Sequence, residues 1–161
     1  MTVTEVMTTE FEVIREDASL LEAMRHLRGS PLVEDEIGIK CVIVFDEDDR
    51  LVGVLTQSDI VDEILFPYFV RNLANPTAEG LRTIKEGDFR SLGAWAAKVR
   101  VRDVMSRDPE TLAPEADIFV AADMIVSRKV KSFPVVKEGK VYGIVYRSAL
   151  YRNIAEAILN S

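Results

Sequence analysis

The sequence predicts an α+β fold made of two β-α-β-β-α repeats, packed sheet to sheet as a pseudo-twofold dimer within one chain. Three observations carry this. First, the chain repeats itself: Val6-Met7-Thr8 returns as Val104-Met105-Ser106, and Ala18-Ser19-Leu20-Leu21-Glu22-Ala23 as Ala116-Asp117-Ile118-Phe119-Val120-Ala121. Second, each copy carries one helical apolar stripe followed by two strand-like apolar runs. Third, a copy of this size exposes too much of its core to be comfortable alone, whereas two copies would cover each other.

The elements follow in order. A short strand, Glu12-Val13-Ile14 or Glu110-Thr111-Leu112, leads into a helix. The first helix opens with Ser19 and Glu22, the pattern of a capping box. Leu20, Ala23, Met24 and Leu27 then fall on one helical face. In the second copy Asp117 is the expected N-cap, and Ile118, Ala121, Ala122 and Ile125 form the face. Two strands come next, 41–45 with 51–55 and 133–136 with 141–146, each pair joined by a polar turn and predicted to be a hairpin. A second helix begins near Ser58 or Asp59, and again near Ser148.

The repeat divides the chain into a first copy at 1–61, a helical linker at 62–100 and a second copy at 101–161. The first copy has a loop insertion near 28–39, around Gly29, Ser30 and Pro31 and the acidic Glu34-Asp35-Glu36. Ile60, Val61, Ile64, Leu65 and Phe69 continue an amphipathic helix into the linker, and Pro67 would kink or break it. Asn75-Pro76 marks a stop, and 92–99, with Trp95, reads as another short helix. Phe66, Tyr68, Phe69, Phe89 and Trp95 gather aromatic surface here, either packing over the core or forming a subunit or partner interface.

Composition excludes several functions. The 161 residues carry 20 Lys plus Arg against 27 Asp plus Glu, a net charge of −7. That balance counts against nonspecific nucleic-acid binding, which needs clustered cations. No apolar run approaches a membrane span, and the N-terminal residues do not read as a signal peptide, so a cytoplasmic location is expected. Cys41, the single cysteine, lies in an apolar run and reads as a buried small hydrophobe. His26, the single histidine, reads as a surface or half-buried group. These two residues supply no metal site and no catalytic set, so no enzyme activity is expected.

The stretch that carries chemistry is Gly53-Val54-Leu55-Thr56-Gln57-Ser58-Asp59, running from a strand into a helix start. Thr56 and Asp59 suit a helix cap. The same residues suit a ligand: a helix start and a hydroxyl can meet a phosphate, and a carboxylate one turn on can accept from a ribose diol. Gly53 lets the backbone approach a ligand or a neighbour closely.

With its two repeated openings, its Phe133-Pro134-Val135-Val136 run and residues 53–59, the chain resembles a tandem CBS-domain pair, the Bateman module. The resemblance implies a regulatory module that senses an adenosine-containing ligand and passes a conformational change to a target protein of unknown identity. The ligand would be AMP, ADP, ATP, S-adenosylmethionine or, in some members, NAD. No other cofactor is implied, and a homodimer is. By that resemblance Asp59 would bind the ribose, Thr56 the phosphate, and Ser58 and Gly53 would line the same pocket. Met105, Glu110, Val130, Lys131 and Ser132 would flank the purine, and one of Arg128, Lys129 and Lys131 would face the phosphates. The second copy departs from the pattern, with Tyr146 for the hydroxyl residue and Ala149 for the carboxylate. One competent site and one degenerate site are therefore expected. The alternative is a structural or interaction module that dimerises and binds no ligand.

Overall fold

The computed structural model describes residues 1–28, 41–65 and 86–161. Apart from Arg28, the expected loop insertion lies outside them, as do Phe66, Pro67, Tyr68, Phe69 and Asn75-Pro76. The chain forms two compact units, Glu12–Arg107 and Met1–Phe11 with Asp108–Ser161. This division differs from one that follows the repeat, and backbone pairing is the reason.

In the Glu12–Arg107 unit, β1 (Glu12–Arg15) pairs parallel with β2 (Cys41–Phe45). The β2 strand pairs antiparallel with β3 (Leu51–Thr56), and β3 with β4 (Ser106–Arg107), giving the order β1-β2-β3-β4. Cys41, Val42, Ile43 and Val44 are all buried, as expected of an unbroken apolar run covered on both faces. The β2–β3 turn is held by Asp46, whose carboxylate accepts from the N–H groups of Asp48 (2.9 Å) and Arg50 (3.0 Å). Helix α1 (Leu20–Arg28) is capped by Ser19, whose hydroxyl accepts from the Glu22 N–H at 3.1 Å. Leu20, Ala23 and Leu27 are buried in the unit's core and Met24 is half-buried against it. His26 is half-buried and forms an ion pair with Glu12.

The β3 strand runs into a short helix, α2 (Gln57–Asp59), and then a π-helical stretch at Ile60–Leu65 rather than a plain α-helix. Helix α3 (Glu86–Ala96) starts earlier than expected and ends before Val99. Its Leu92 and Ala96 are buried, and Trp95 packs half-buried against the unit's core. Trp95 is therefore core packing, whereas Phe89 is exposed.

In the other unit, helix α4 (Ile118–Arg128) is capped by Asp117, whose carboxylate accepts from the Phe119 N–H at 2.8 Å. Strands β5 (Ser132–Lys137) and β6 (Lys140–Tyr146) pair antiparallel and lead into helix α5 (Arg147–Leu159). The turn places Glu138 at φ 51° and Gly139 at φ 76°, the left-handed pair that two-residue hairpins favour. The expected strand at 110–112 is reduced to Leu112, which bridges to Val135 in parallel.

The N-terminal segment belongs to this second unit. Thr8 and Ile144 exchange two backbone hydrogen bonds of 2.9 Å, and Val3 donates to Ala116 at 2.8 Å. Val3 and Val6 are buried in its core. The first unit repeats this closure with the later segment: Val101 donates to Ala18 at 2.8 Å, and β4 pairs with β3. Each Val-Met-Thr/Ser opening thus completes the sheet of the other copy's hairpin.

Candidate functional site

The start of α2 is a closed capping box. The Thr56 N–H donates to Asp59 Oδ2 at 2.9 Å, and the Asp59 N–H donates to Thr56 Oγ1 at 3.1 Å. The local sequence dictates this: a hydroxyl at the cap and a carboxylate three residues on satisfy two otherwise orphaned donors. Thr56, Ser58 and Asp59 are all half-buried. Gln57 ties the turn to α1 by donating its side-chain amide to the Leu27 carbonyl at 2.9 Å, a long-range contact with no local sequence signal.

The box fixes the Asp59 side chain. A carboxylate offers about four acceptor positions, so one bond from Thr56 leaves further acceptor capacity. The Thr56 hydroxyl, which accepts from Asp59, still has its own proton to donate.

Gly53 is buried for a steric reason. A Cβ there would sit 2.6 Å from Met105 Sδ and 2.9 Å from the Ser106 carbonyl. Its close neighbour is thus the segment that forms β4. Met105, which the sequence groups with the second copy's residues, is buried against Gly53. Gly143 repeats the arrangement: a Cβ would lie 2.5 Å from the Thr8 carbonyl and 3.0 Å from Met7 Sδ.

The other unit holds Glu110, Val130, Lys131 and Ser132. Glu110 is exposed and forms an ion pair with Arg128. Val130 is half-buried against the unit's core. The exposed Lys131 accepts at its carbonyl from the Arg147 N–H at 3.1 Å. Ser132 opens β5, is 7% exposed, and sits opposite Tyr146. The nine residues therefore divide, with Gly53, Thr56, Ser58, Asp59 and Met105 in one unit and these four in the other. The α5 start has no counterpart of the box: Tyr146 makes no side-chain cap, and Ala149 replaces the acid. Among the described residues, no cluster of acids, histidines and cysteines suits a metal ion, and no helix is long and apolar enough to cross a membrane.

Comparison with known proteins places these features. The family model of the CBS domain matches residues 3–66 and 101–156. The Methanocaldococcus jannaschii protein MJ1426 is 32% identical over 145 residues, which is 86% of this chain and 82% of that protein. The CBS domain of a CBS domain containing membrane protein from Sphaerobacter thermophilus superposes with a TM-score of 0.68 at 26% identity, covering 94% of this chain and 86% of that one. CBSX2, solved in complex with AMP, has a TM-score of 0.63 at 21% identity and 97% coverage of both chains.

Proposed function

The chain belongs to the CBS-domain family, with two copies of the domain, and from that premise we propose that it is a regulatory module that binds an adenosine-containing ligand through its first copy. The observation that carries the reading is the half-buried Asp59 carboxylate, held in place by Thr56. A prepositioned acceptor loses little entropy on binding a diol, and a hydroxyl beside it gives a phosphate a donor. The fold shared with CBSX2, a protein captured with AMP, makes AMP the first ligand to test, ahead of ADP, ATP and S-adenosylmethionine. Glu110, Val130, Lys131 and Ser132 are carried forward as proposed purine contacts, each to be tested by its own alanine variant. The ligand then acts by favouring one of two conformations through its differential affinity, and an unidentified target protein reads the change.

A homodimer is part of the proposal. Phe119, Val126, Tyr151, Ile158 and Leu159 leave exposed apolar surface on α4 and α5, which supports self-association. The second reading is a dimerising interaction module that binds nothing. The uncapped α5 start, with Tyr146 and Ala149, favours it for the second copy.

Calorimetric titration with AMP, ADP, ATP, S-adenosylmethionine and NAD tests the proposal on the wild type, Asp59→Asn and Asp59→Ala. Asparagine retains an oxygen for the Thr56 N–H, whereas alanine removes it. One ligand at one site per chain is expected, with affinity reduced in both variants. Absence of binding in ligand-free protein that elutes as a dimer would favour the interaction module.

A further inference from the structure

The Thr56–Asp59 box is joined to a distant helix through Gln57. The two reciprocal bonds of the box close a ring around residues 57 and 58, and they hold the backbone at Gln57 while both last. The Gln57 side chain leaves that ring and donates to the Leu27 carbonyl at 2.9 Å, 30 residues away in the chain. Leu27 lies in the last turn of α1, where the helix's final carbonyls have no partner within the helix. Gln57 therefore caps the end of α1 while it forms the first residue of α2. The bond is partly buried, so breaking it leaves an acceptor poorly served by water.

The same turn of α1 is tied in two other ways. The Leu27 side chain is 2% exposed in the unit's core, and His26 beside it pairs with Glu12 of β1. Of these three ties, the Gln57 amide is the one that follows the state of the box. We propose that Gln57 is a positioning residue that couples the Thr56–Asp59 box to the C-terminal turn of α1, so that a ligand closing the box also tightens that turn. The inference rests on the adenosine-binding reading for the ligand's identity and adds the route by which the first copy responds. A ligand held by the Asp59 carboxylate and the Thr56 hydroxyl favours the closed box. The closed box keeps the Gln57 amide on Leu27, and the capped carbonyl holds the last turn of α1 against fraying. The coupling is reciprocal: whatever grips or frays the end of α1 changes ligand affinity by the same factor.

The test compares wild type with Gln57→Met, Gln57→Lys, Asp59→Ala and the double variant Gln57→Met/Asp59→Ala. Methionine keeps the length and removes the donor, whereas lysine restores a donor whose charge suits a helix C-terminus. Hydrogen exchange is read at the amides of Leu27 and Arg28, which close the last turn of α1, and the amide spectrum reports that each fold is intact. Without ligand, Asp59→Ala is expected to speed exchange at both amides when Gln57 is present, and to change nothing there in the Gln57→Met background. AMP is then added, and in parallel adenosine, which carries no charge for the lysine to attract. Either should slow exchange at Leu27 and Arg28 in wild type. In Gln57→Met the slowing should disappear and affinity fall about two- to tenfold, the range for one hydrogen bond, and Gln57→Lys should restore both. Mere loss of packing would leave lysine no better than methionine, and that result would sink the proposal. Equal exchange at Leu27 and Arg28 in wild type and Asp59→Ala, or a ligand response retained in Gln57→Met, would also overturn it. Failure of AMP and adenosine to bind wild type would overturn the adenosine-binding reading alone, and the ligand-free comparison would still decide the coupling.

Discussion

Replacing Gly143 by alanine tests how the N-terminal segment closes the second copy. The new Cβ would stand 2.5 Å from the Thr8 carbonyl, a backbone atom, and 3.0 Å from Met7 Sδ. Ordinary contact needs about another ångström, and the methionine can yield more easily than the carbonyl. That carbonyl accepts from the Ile144 N–H, and the Ile144 carbonyl accepts from the Thr8 N–H. The strand and the segment must therefore separate, giving an overpacking cost of about 1–3 kcal/mol. A loss of 2 kcal/mol would lower Tm by about 4–8 °C in a chain of this size. Gly53→Ala meets the Ser106 carbonyl at 2.9 Å and should behave similarly, with a smaller effect. Gly93→Ala is the control: nothing lies within 4 Å in helix α3, so alanine should stabilise by about 0.5–1 kcal/mol. Thermal and urea melts, with amide exchange at Thr8 and Ile144, measure all three. Unchanged stability and unchanged protection at Ile144 in Gly143→Ala would refute the close-approach argument.

Two further predictions concern the same unit. Deleting residues 1–11 removes Val3 and Val6 from the core, a loss of about 3–6 kcal/mol, comparable to the net stability of a domain. The Ile118 and Ile144 amides, whose acceptors are on Met1 and Thr8, should exchange freely while Leu20 and Val101 stay protected; continued protection at Ile144 would disprove the closure. The hydrogen bond from Lys137 holds the Glu115 carboxyl below its ordinary range, and its reciprocal raises Lys137. The pair's contribution through Glu115 is present above the usual carboxylate range and is lost as pH falls through the lowered value. Through Lys137 it is present below the usual lysine range and is lost as pH rises through the raised one. An NMR titration should show Glu115 move toward its ordinary value in Lys137→Met, short of it because a backbone hydrogen bond also lowers the group, and move the same way in high salt.

Local physics made much of this protein legible in its sequence. The Ser19 and Asp117 caps, the Leu20-Ala23-Leu27 stripe and the two hairpins each depend on residues close together in the chain, so spacing alone identifies them. The Thr56–Asp59 box was legible for the same reason, and so was its loss at Tyr146 and Ala149. Other features required the tertiary structure. Val6-Met7-Thr8 reads as the opening of the copy that follows it, yet Thr8 pairs with Ile144 of the other copy's sequence, and Val3 just before it bonds to Ala116. A segment that short carries no label for its distant partner. Gly53 and Gly143 give both sheet edges room for such a segment, so the choice between them is made by tertiary packing. The Glu110–Arg128 ion pair, the Gln57 bond to Leu27 and the side-by-side placing of Lys131 and Arg147 are likewise decided by packing, because each joins groups that only the folded chain brings together.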